Sequence, residues 1–361
     1  MTSRPILLIT LPSLAVGGAE QFLTSLANQL SSEFEIHFYI FSNNIPLKGR
    51  LKGPFVHVNS GPLMGVIGLR KFIRVIKPDV ILSSILDLNL IIIALRFLYP
   101  SKTKVIVREA IDTDAAINLS RHPKIFRLLY RRLYPRADCI LCLSENMRES
   151  VFRLLEPVRP KISIIPNAVG GQRMQPLPSK YPLDKTILAV GRLSRQKGFD
   201  QLIEAFSQFV NKTQGRDYKL IIVGEGEQKR ELQYIISELG LTKQVHLKGL
   251  VDDPSPLYVE ASFLALPSRY EGVSNVMLEA LVNGLPVLAT SNRTSAEYYI
   301  DNSNGVLIEK CDDQEILAGL IQMDKKLAGF ERKSIAHKWR QQLKLSVVTE
   351  QYADVIRNLS F

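Results

Sequence analysis

Two glutamates, Glu271 and Glu279, stand around the start of an apolar stretch in Pro267-Ser-Arg-Tyr-Glu-Gly-Val-Ser-Asn-Val-Met-Leu-Glu-Ala-Leu-Val-Asn-Gly-Leu-Pro286. The preceding run, Ala261 to Pro267, has the length and composition of a strand, and Gly284 and Pro286 end a short helix ahead of a further strand, Val287 to Ala289. Ser274 or Asn275 can cap that helix. The amides of Gly272, Val273, Ser274 and Asn275 would then point out of its N-terminus, where the helix dipole favours a phosphate. A carboxylate beside a phosphate is repelled by it, so each glutamate is better employed accepting hydrogen bonds from hydroxyls, one from a sugar and one from a ribose. That division suits a nucleoside diphosphate sugar. The same spacing also fits an amphipathic helix carrying two solvated glutamates, so the other segments must decide.

Two further loops carry matching chemistry. In Gly191-Arg-Leu-Ser-Arg-Gln-Lys-Gly198, after the predicted strand Thr186 to Val190, Arg192 and Lys197 sit just before a helix. They suit both phosphates of a diphosphate and the charge that builds up as it leaves, although solvated loop charges would look the same. After Ile6 to Thr10, Gly17-Gly18 open a helix and let backbone amides approach a phosphate, or form only a tight turn. Val223-Gly-Glu-Gly-Glu-Gln-Lys229 starts like a dinucleotide fingerprint, but Lys229 takes the place of its third glycine.

These loops need rigid strands and helices to hold them, and the chain has room for two domains: 361 residues, 46% of them hydrophobic. Strand and helix patterns alternate throughout, which predicts an α/β protein with parallel sheets. Expected strands in the first half are Ile6–Thr10, Glu35–Phe41, Val80–Ser84, Lys104–Arg108, Cys139–Leu143 and Ile162–Ile165. In the second they are Thr186–Val190, Lys219–Val223, Val245–Lys248, Phe263–Pro267, Val287–Ala289 and Gly305–Ile308. A turn-rich segment with Pro166, Gly170, Gly171, Pro176, Pro178 and Pro182 separates a domain at 1–170 from one at 171–335. Residues 336–361 form a helical tail with its own apolar stripe. Three cysteines, Cys139, Cys142 and Cys311, are too few for a disulfide framework, and the first two read as core strand. Arg4 leads straight into a strand with no cleavage pattern, and Val80 to Tyr99 is interrupted by Asp87, Asn89 and Arg96. The expected location is therefore cytoplasmic.

The net charge of +11 is unevenly spread: residues 1–180 hold 24 Lys and Arg against 12 Asp and Glu. The densest part is His122 to Arg136, where Lys124, Arg127, Arg131 and Arg132 alternate with apolar residues at helical spacing. Such a helix can face an anionic membrane surface or be an ordinary solvated domain helix. Its aromatics follow helical spacing, and no nucleic-acid-binding module is visible, so nucleic acid is not an expected partner.

In this order and spacing, Gly17-Gly18-Ala-Glu20, Ile165-Pro-Asn-Ala168, the Gly191–Gly198 loop, Val223-Gly-Glu-Gly226, Lys248-Gly-Leu250 and Glu271-x7-Glu279 resemble the landmarks of the large GT-B glycosyltransferase family usually called GT4. The match covers nearly the whole chain. The resemblance implies two doubly wound, Rossmann-like domains facing across a cleft, with the C-terminal helix crossing back to the first. It implies a retaining transfer of a hexose or N-acetylhexosamine from a nucleoside diphosphate sugar, without a metal or other cofactor. By the same resemblance Arg192 and Lys197 would bind the diphosphate, Glu279 the ribose, Glu271 the donor sugar, and the Gly272–Asn275 amides the distal phosphate. Gly17-Gly18 would approach the donor from the first domain, and the backbone of Lys248 to Val251, Gly249 and Leu250 included, would meet the base.

Many members of the family carry a histidine in the loop after the fourth strand of the first domain; here Lys104 to Asp114 has none. Arg108 and Glu109 stand in its neighbourhood, with Asp112 close by. The expectation is that Glu109 orients the acceptor hydroxyl or the donor sugar and that Arg108 meets an acceptor phosphate. Catalysis would then fall to Glu271, Arg192, Lys197 and Glu109. The partners expected are a nucleotide sugar, with UDP ahead of GDP, a glycan or lipid-linked acceptor in surface polysaccharide or glycoconjugate synthesis, and an anionic membrane surface. An epimerase on the same fold and a catalytically inactive sugar-nucleotide-binding subunit are the alternatives at this stage.

Overall fold

The computed structural model describes residues 4–360 apart from 15–17, 53–54, 59–61, 101, 179–184, 213–216 and 292–294. The chain divides into two compact units, one made of Met1–Ala168 with Leu345–Phe361 and the other of Val169–Lys344.

Unit 1 holds a parallel sheet of β1 (Ile6–Leu11), β2 (Glu35–Ile40), β3 (Phe55–Val58), β4 (Val80–Ser84), β5 (Lys104–Arg108), β6 (Cys139–Cys142) and β7 (Ile162–Ile164), in the order β3-β2-β1-β4-β5-β6-β7. The central strands are buried on both faces, which is why their sequences read as continuous apolar runs without alternation. β3 escaped the sequence reading because it is a four-residue edge strand whose side chains are only partly covered. The connecting helices are α1 (Gly18–Leu30), α2 (Pro62–Ile76), α3 (Leu86–Ala94), α4 (Thr113–Leu119), α5 (Pro123–Leu133) and α6 (Glu145–Leu155).

Unit 2 repeats the plan with β8 (Thr186–Val190), β9 (Lys219–Val223), β10 (Val245–Gly249), β11 (Phe263–Leu266), β12 (Val287–Thr290) and β13 (Gly305–Ile308), in the order β10-β9-β8-β11-β12-β13. Its helices are α7 (Phe199–Lys212), α8 (Lys229–Glu238), α9 (Ser255–Glu260), α10 (Asn275–Val282), α11 (Ala296–Tyr299), α12 (Asp313–Lys326) and α13 (Arg332–Leu343). In each sheet the order reverses once, between β1 and β4 and between β8 and β11, and a doubly wound sheet offers its ligand crevice at the carboxyl ends of such a pair.

The tail is not one helix. At Lys344 the backbone is extended, at φ −61° and ψ 134°, and it forms an isolated parallel bridge with Val169. This separates α13, in unit 2, from α14 (Leu345–Ser360), in unit 1. Val348, Tyr352, Ala353 and Ile356 of α14 join a core cluster with Phe22, Leu23 and Leu26 of α1 and the inner residues of β1, β2 and β4. Arg357 adds an ion pair to Glu33 at 2.6 Å. Among the described residues no helix is long and apolar enough to cross a membrane.

Candidate active site

The two sequence-predicted donor loops of unit 2 follow β8 and β11, the neighbouring strands at its reversal point. Close backbone approach brings them together. Gly198 has φ +68°, and a Cβ there would lie 2.2 Å from the carbonyl oxygen of Pro267, so only glycine lets the first loop touch the second. A side-chain latch then fixes their register. Both terminal guanidinium nitrogens of Arg269 donate to Asp200, at 2.9 and 2.7 Å, and the Arg269 amide donates to the Gln196 carbonyl at 2.8 Å. Gln196 answers with a 3.0 Å bond from Nε2 to the Tyr270 carbonyl. Burial pushes the Asp200 carboxyl up, but the hydrogen bonds and charge of Arg269 outweigh it and hold it below its ordinary value.

Within this frame Lys197 Nζ donates to Glu271 Oε1, and Ser268 Oγ donates to Glu271 Oε2 at 2.8 Å. The Lys197 and Glu271 side chains are 13% and 16% exposed, so they are sheltered yet reachable. Arg192 is exposed and has no carboxylate partner among the described residues. Ser274 occupies the N-cap position of α10, but its hydroxyl accepts no amide of the helix, contrary to the capping expectation; it is buried and unpartnered. Asn275 is the first helical residue. An α10 N-terminus that the Ser274 hydroxyl does not cap, the Lys197 cation beside it and a carboxylate held from one side can together bind a phosphate next to a hydroxyl-bearing group.

Glu279 lies a turn and a half along α10, partly buried, with Oε2 accepting from Tyr258 OH at 2.8 Å. Burial raises its carboxyl, and the Tyr258 hydrogen bond counters this. The other end of α10 is held by α13: Arg332 Nε donates to the Gly284 carbonyl at 2.9 Å and Arg340 Nε to that of Val282 at 2.7 Å, where cations complement a helix C-terminus. At the end of β10 Gly249 has φ +74°, and the next residue, Leu250, is 80% exposed, an apolar side chain open to solvent.

Unit 1 overturns two expectations. Arg108 is fully buried: it donates to Tyr352 OH at 3.1 Å, to Ser84 Oγ at 3.1 Å and to Asn167 Oδ1, and lies over the Phe22 ring at 5.2 Å. It pins α14 to the sheet and is not free for an acceptor phosphate. Glu109 is buried too, accepting from Tyr134 OH, from Thr113 Oγ1 at 2.7 Å and from Asn89 Nδ2 at 3.4 Å. Burial raises its carboxyl above the ordinary value despite these donors. It anchors the start of α4 and the end of α5, and this burial does not match the reachable position that the expected catalytic role requires. Asp112 is partly buried just ahead of α4. Gly17 lies outside the described residues, and Gly18 is exposed at the start of α1. One feature of this crevice had no sequence signal: Ile85, directly after β4, has φ +85°, a strained conformation for a β-branched residue.

Comparison with known proteins gives a family match in each unit. Residues 16–172 match the model of Glycosyltransferase Family 4, and residues 176–333 match that of Glycosyl transferases group 1. The chain is a GT-B glycosyltransferase of the GT4 type. It is 29% identical over 354 residues to the N-acetylgalactosamine-N,N'-diacetylbacillosaminyl-diphospho-undecaprenol 4-alpha-N-acetylgalactosaminyltransferase of Campylobacter jejuni, covering 89% of this chain and 92% of that one. A second C. jejuni enzyme, an alpha-1,4-N-acetyl-D-galactosaminyltransferase whose name also specifies a PP-undecaprenol glycan, is 27% identical, with 94% and 95% covered. Among solved structures, Anabaena HepE in complex with UDP superposes with a TM-score of 0.78 at 18% identity, over 98% of this chain and 100% of HepE, and so shares the fold.

On this glycosyltransferase the basic helix α5 divides differently from the sequence expectation. Arg127 turns to Asp114 and Asn118, at 2.9 and 3.0 Å, and Arg131 Nε donates to the Leu154 carbonyl at 2.9 Å. Both are engaged within unit 1. The exposed face also presents Ile125, Leu128 and Leu129, 56%, 57% and 40% exposed, beside the exposed Lys124, Arg131 and Arg132. Tyr130 and Tyr134 anchor the opposite side, fully buried with their rings 3.7 Å apart.

Sequence reasoning on the glycosyltransferase also missed Ser268, Tyr258 and the Arg269–Asp200 latch. Ser268 had a local signal, the Ser-x-x-Glu spacing to Glu271. The other partners are separated by 21 and 69 residues and meet only in the fold.

Proposed function

We propose that this glycosyltransferase moves a sugar from a nucleoside diphosphate, UDP ahead of GDP, to a hydroxyl of a lipid-linked glycan, with retention at the anomeric carbon and without a metal. The Lys197–Glu271 pair at the mouth of α10 carries the donor part of this reading. Without a donor the two side chains satisfy each other. A diphosphate would take over the lysine's hydrogen bonds, with Arg192 and the α10 amides, and release one Glu271 oxygen for a sugar hydroxyl while Ser268 holds the other. Glu279 would accept from the ribose, and Leu250 offers the base an apolar surface.

In the transfer step the bond from the anomeric carbon to the phosphate oxygen breaks, and the acceptor oxygen bonds to the same carbon on the same face. The leaving phosphate takes the acceptor's proton, so no histidine is required. Lys197 and Arg192 stabilise the negative charge that gathers on the diphosphate.

The acceptor reading is supported by the diphospho-undecaprenol named for the C. jejuni relatives and by the outward face of α5, where apolar side chains can insert and Lys124 and Arg132 can meet anionic headgroups. The enzyme would work at the cytoplasmic face of the membrane, bound peripherally. The test is turnover of UDP-N-acetylgalactosamine and UDP-galactose, and of the GDP sugars, with undecaprenyl-diphosphate glycans in the presence of EDTA. An α-linked product from an α-linked donor is expected; an inverted product, or activity lost to EDTA and restored by a divalent cation, would overturn the mechanism.

A further inference from the structure

Tyr258 is fully buried on α9, and its position is fixed from two sides. Arg332 donates to its backbone carbonyl at 3.0 Å and to those of Ala261 and Gly284 at 2.8 and 2.9 Å, which ties α9 to the end of α10. Its hydroxyl reaches across to α10 and donates to Glu279 Oε2 at 2.8 Å. Burial and then the Glu279 charge push the phenol well above its ordinary value, so it stays protonated and remains a donor. Among the described residues Glu279 makes no ion pair, and the Tyr258 hydroxyl is the hydrogen-bond donor seen on its carboxylate, with the Arg173 charge acting on it from further away.

We propose that Tyr258 is a positioning residue that makes the site select ribonucleotide over 2'-deoxyribonucleotide donors, by engaging Glu279 Oε2 and presenting Oε1 to the ribose hydroxyls. The inference rests on the reading of Glu279 as the ribose ligand. An ionised carboxylate oxygen has about two acceptor positions, enough for neighbouring hydroxyls when its orientation is fixed. A buried group arranged to accept a substrate hydroxyl discriminates against the analogue that lacks it, because it is then left unpaired. Without the phenol the carboxylate can rotate and, being partly buried, is more easily protonated, and both changes weaken acceptance from the ribose.

Calorimetric titration of the full chain with UDP and 2'-deoxy-UDP, and with the GDP pair, tests this in the wild type, Tyr258→Phe and Glu279→Gln. The wild type is expected to prefer the ribonucleotide by about tenfold or more. Tyr258→Phe should lose most of that preference through weaker ribonucleotide binding, with the deoxynucleotide affinity unchanged. A Tyr258→Phe variant that keeps the wild-type ratio, or weakens both ligands equally, overturns the inference. If Glu279→Gln abolishes the preference while Tyr258→Phe keeps it, Glu279 remains the ribose ligand and the role of Tyr258 falls alone. A wild type with no preference contradicts the ribose reading and the inference together. Should Tyr258→Phe fail to fold, Tyr258→Leu removes the same hydroxyl while leaving Glu279 intact and is read against the same outcomes.

Discussion

Charged residues follow parallel strands in both units, and their surroundings separate them. Arg108 and Glu109 at the end of β5 are buried, and Tyr352, Ser84, Asn167, Tyr134, Thr113 and Asn89 supply their hydrogen bonds. Lys197 and Glu271 after β8 and β11 remain reachable, and Arg192 faces solvent. A buried charge whose hydrogen bonds are met by its surroundings holds the fold; one with hydrogen-bonding capacity left toward solvent is available for chemistry. The residue type and its place after a strand are the same in the two cases.

The largest expected difference between the regions is in turnover. Lys197→Ala and Glu271→Ala should each lower kcat by roughly 100- to 1,000-fold, the usual cost of removing a group that stabilises transition-state charge, with little change in melting temperature. A large drop in melting temperature instead would place these residues with Arg108. Arg108→Ala should do the reverse and cost about 3 kcal/mol of stability in denaturant unfolding, because it removes hydrogen bonds to a charged group and leaves a buried cavity. Its folded fraction should still bind UDP.

Part of this contrast was legible in the sequence. The Gly191–Gly198 and Pro267–Ser274 loops could be placed because each lies next to its own strand and helix, and the structure brings Lys197 and Glu271 into contact. Arg108 could not be sorted in the same way. Its partners Ser84, Asn167 and Tyr352 lie 24, 59 and 244 residues away, and a string of residues gives no measure of such distances. The partners of the basic helix were hidden for a related reason. Helical spacing places Arg127 and Arg131 on a basic face, and Asp114 and the Leu154 carbonyl engage them within unit 1 while both keep solvent exposure. β3 was missed because an edge strand need not be apolar.

The raised Glu109 carboxyl sharpens the comparison through pH. An unfolded chain releases that proton near pH 4.3, whereas the folded chain retains it to higher pH. The stability it contributes is therefore fully present below that pH and is lost as pH rises through the folded value. Glu109→Gln cannot ionise, so its melting temperature should fall less than that of the wild type as pH increases from about 4. Equal slopes would show that Glu109 is ionised in the folded protein.

The smallest expected effects are at the membrane. Arg132→Ala and Lys124→Ala should each weaken binding to vesicles containing anionic lipid by about fivefold, close to 1 kcal/mol, whereas Arg127→Ala, already engaged by Asp114, should change it less. Sedimentation with liposomes at low and high salt distinguishes these variants, and indifference of the wild type to anionic lipid would remove the membrane claim.

The central claim is that the charges of unit 2, and not those of unit 1, hold the nucleotide diphosphate. Calorimetric titration of UDP and GDP into the wild type, Lys197→Ala, Arg192→Ala and Glu109→Gln tests it most directly. Binding of at least one nucleotide should weaken by about tenfold or more in the first two variants and stay at the wild-type level in Glu109→Gln. Unchanged affinity in Lys197→Ala and Arg192→Ala, or an equal loss in Glu109→Gln, would contradict the account.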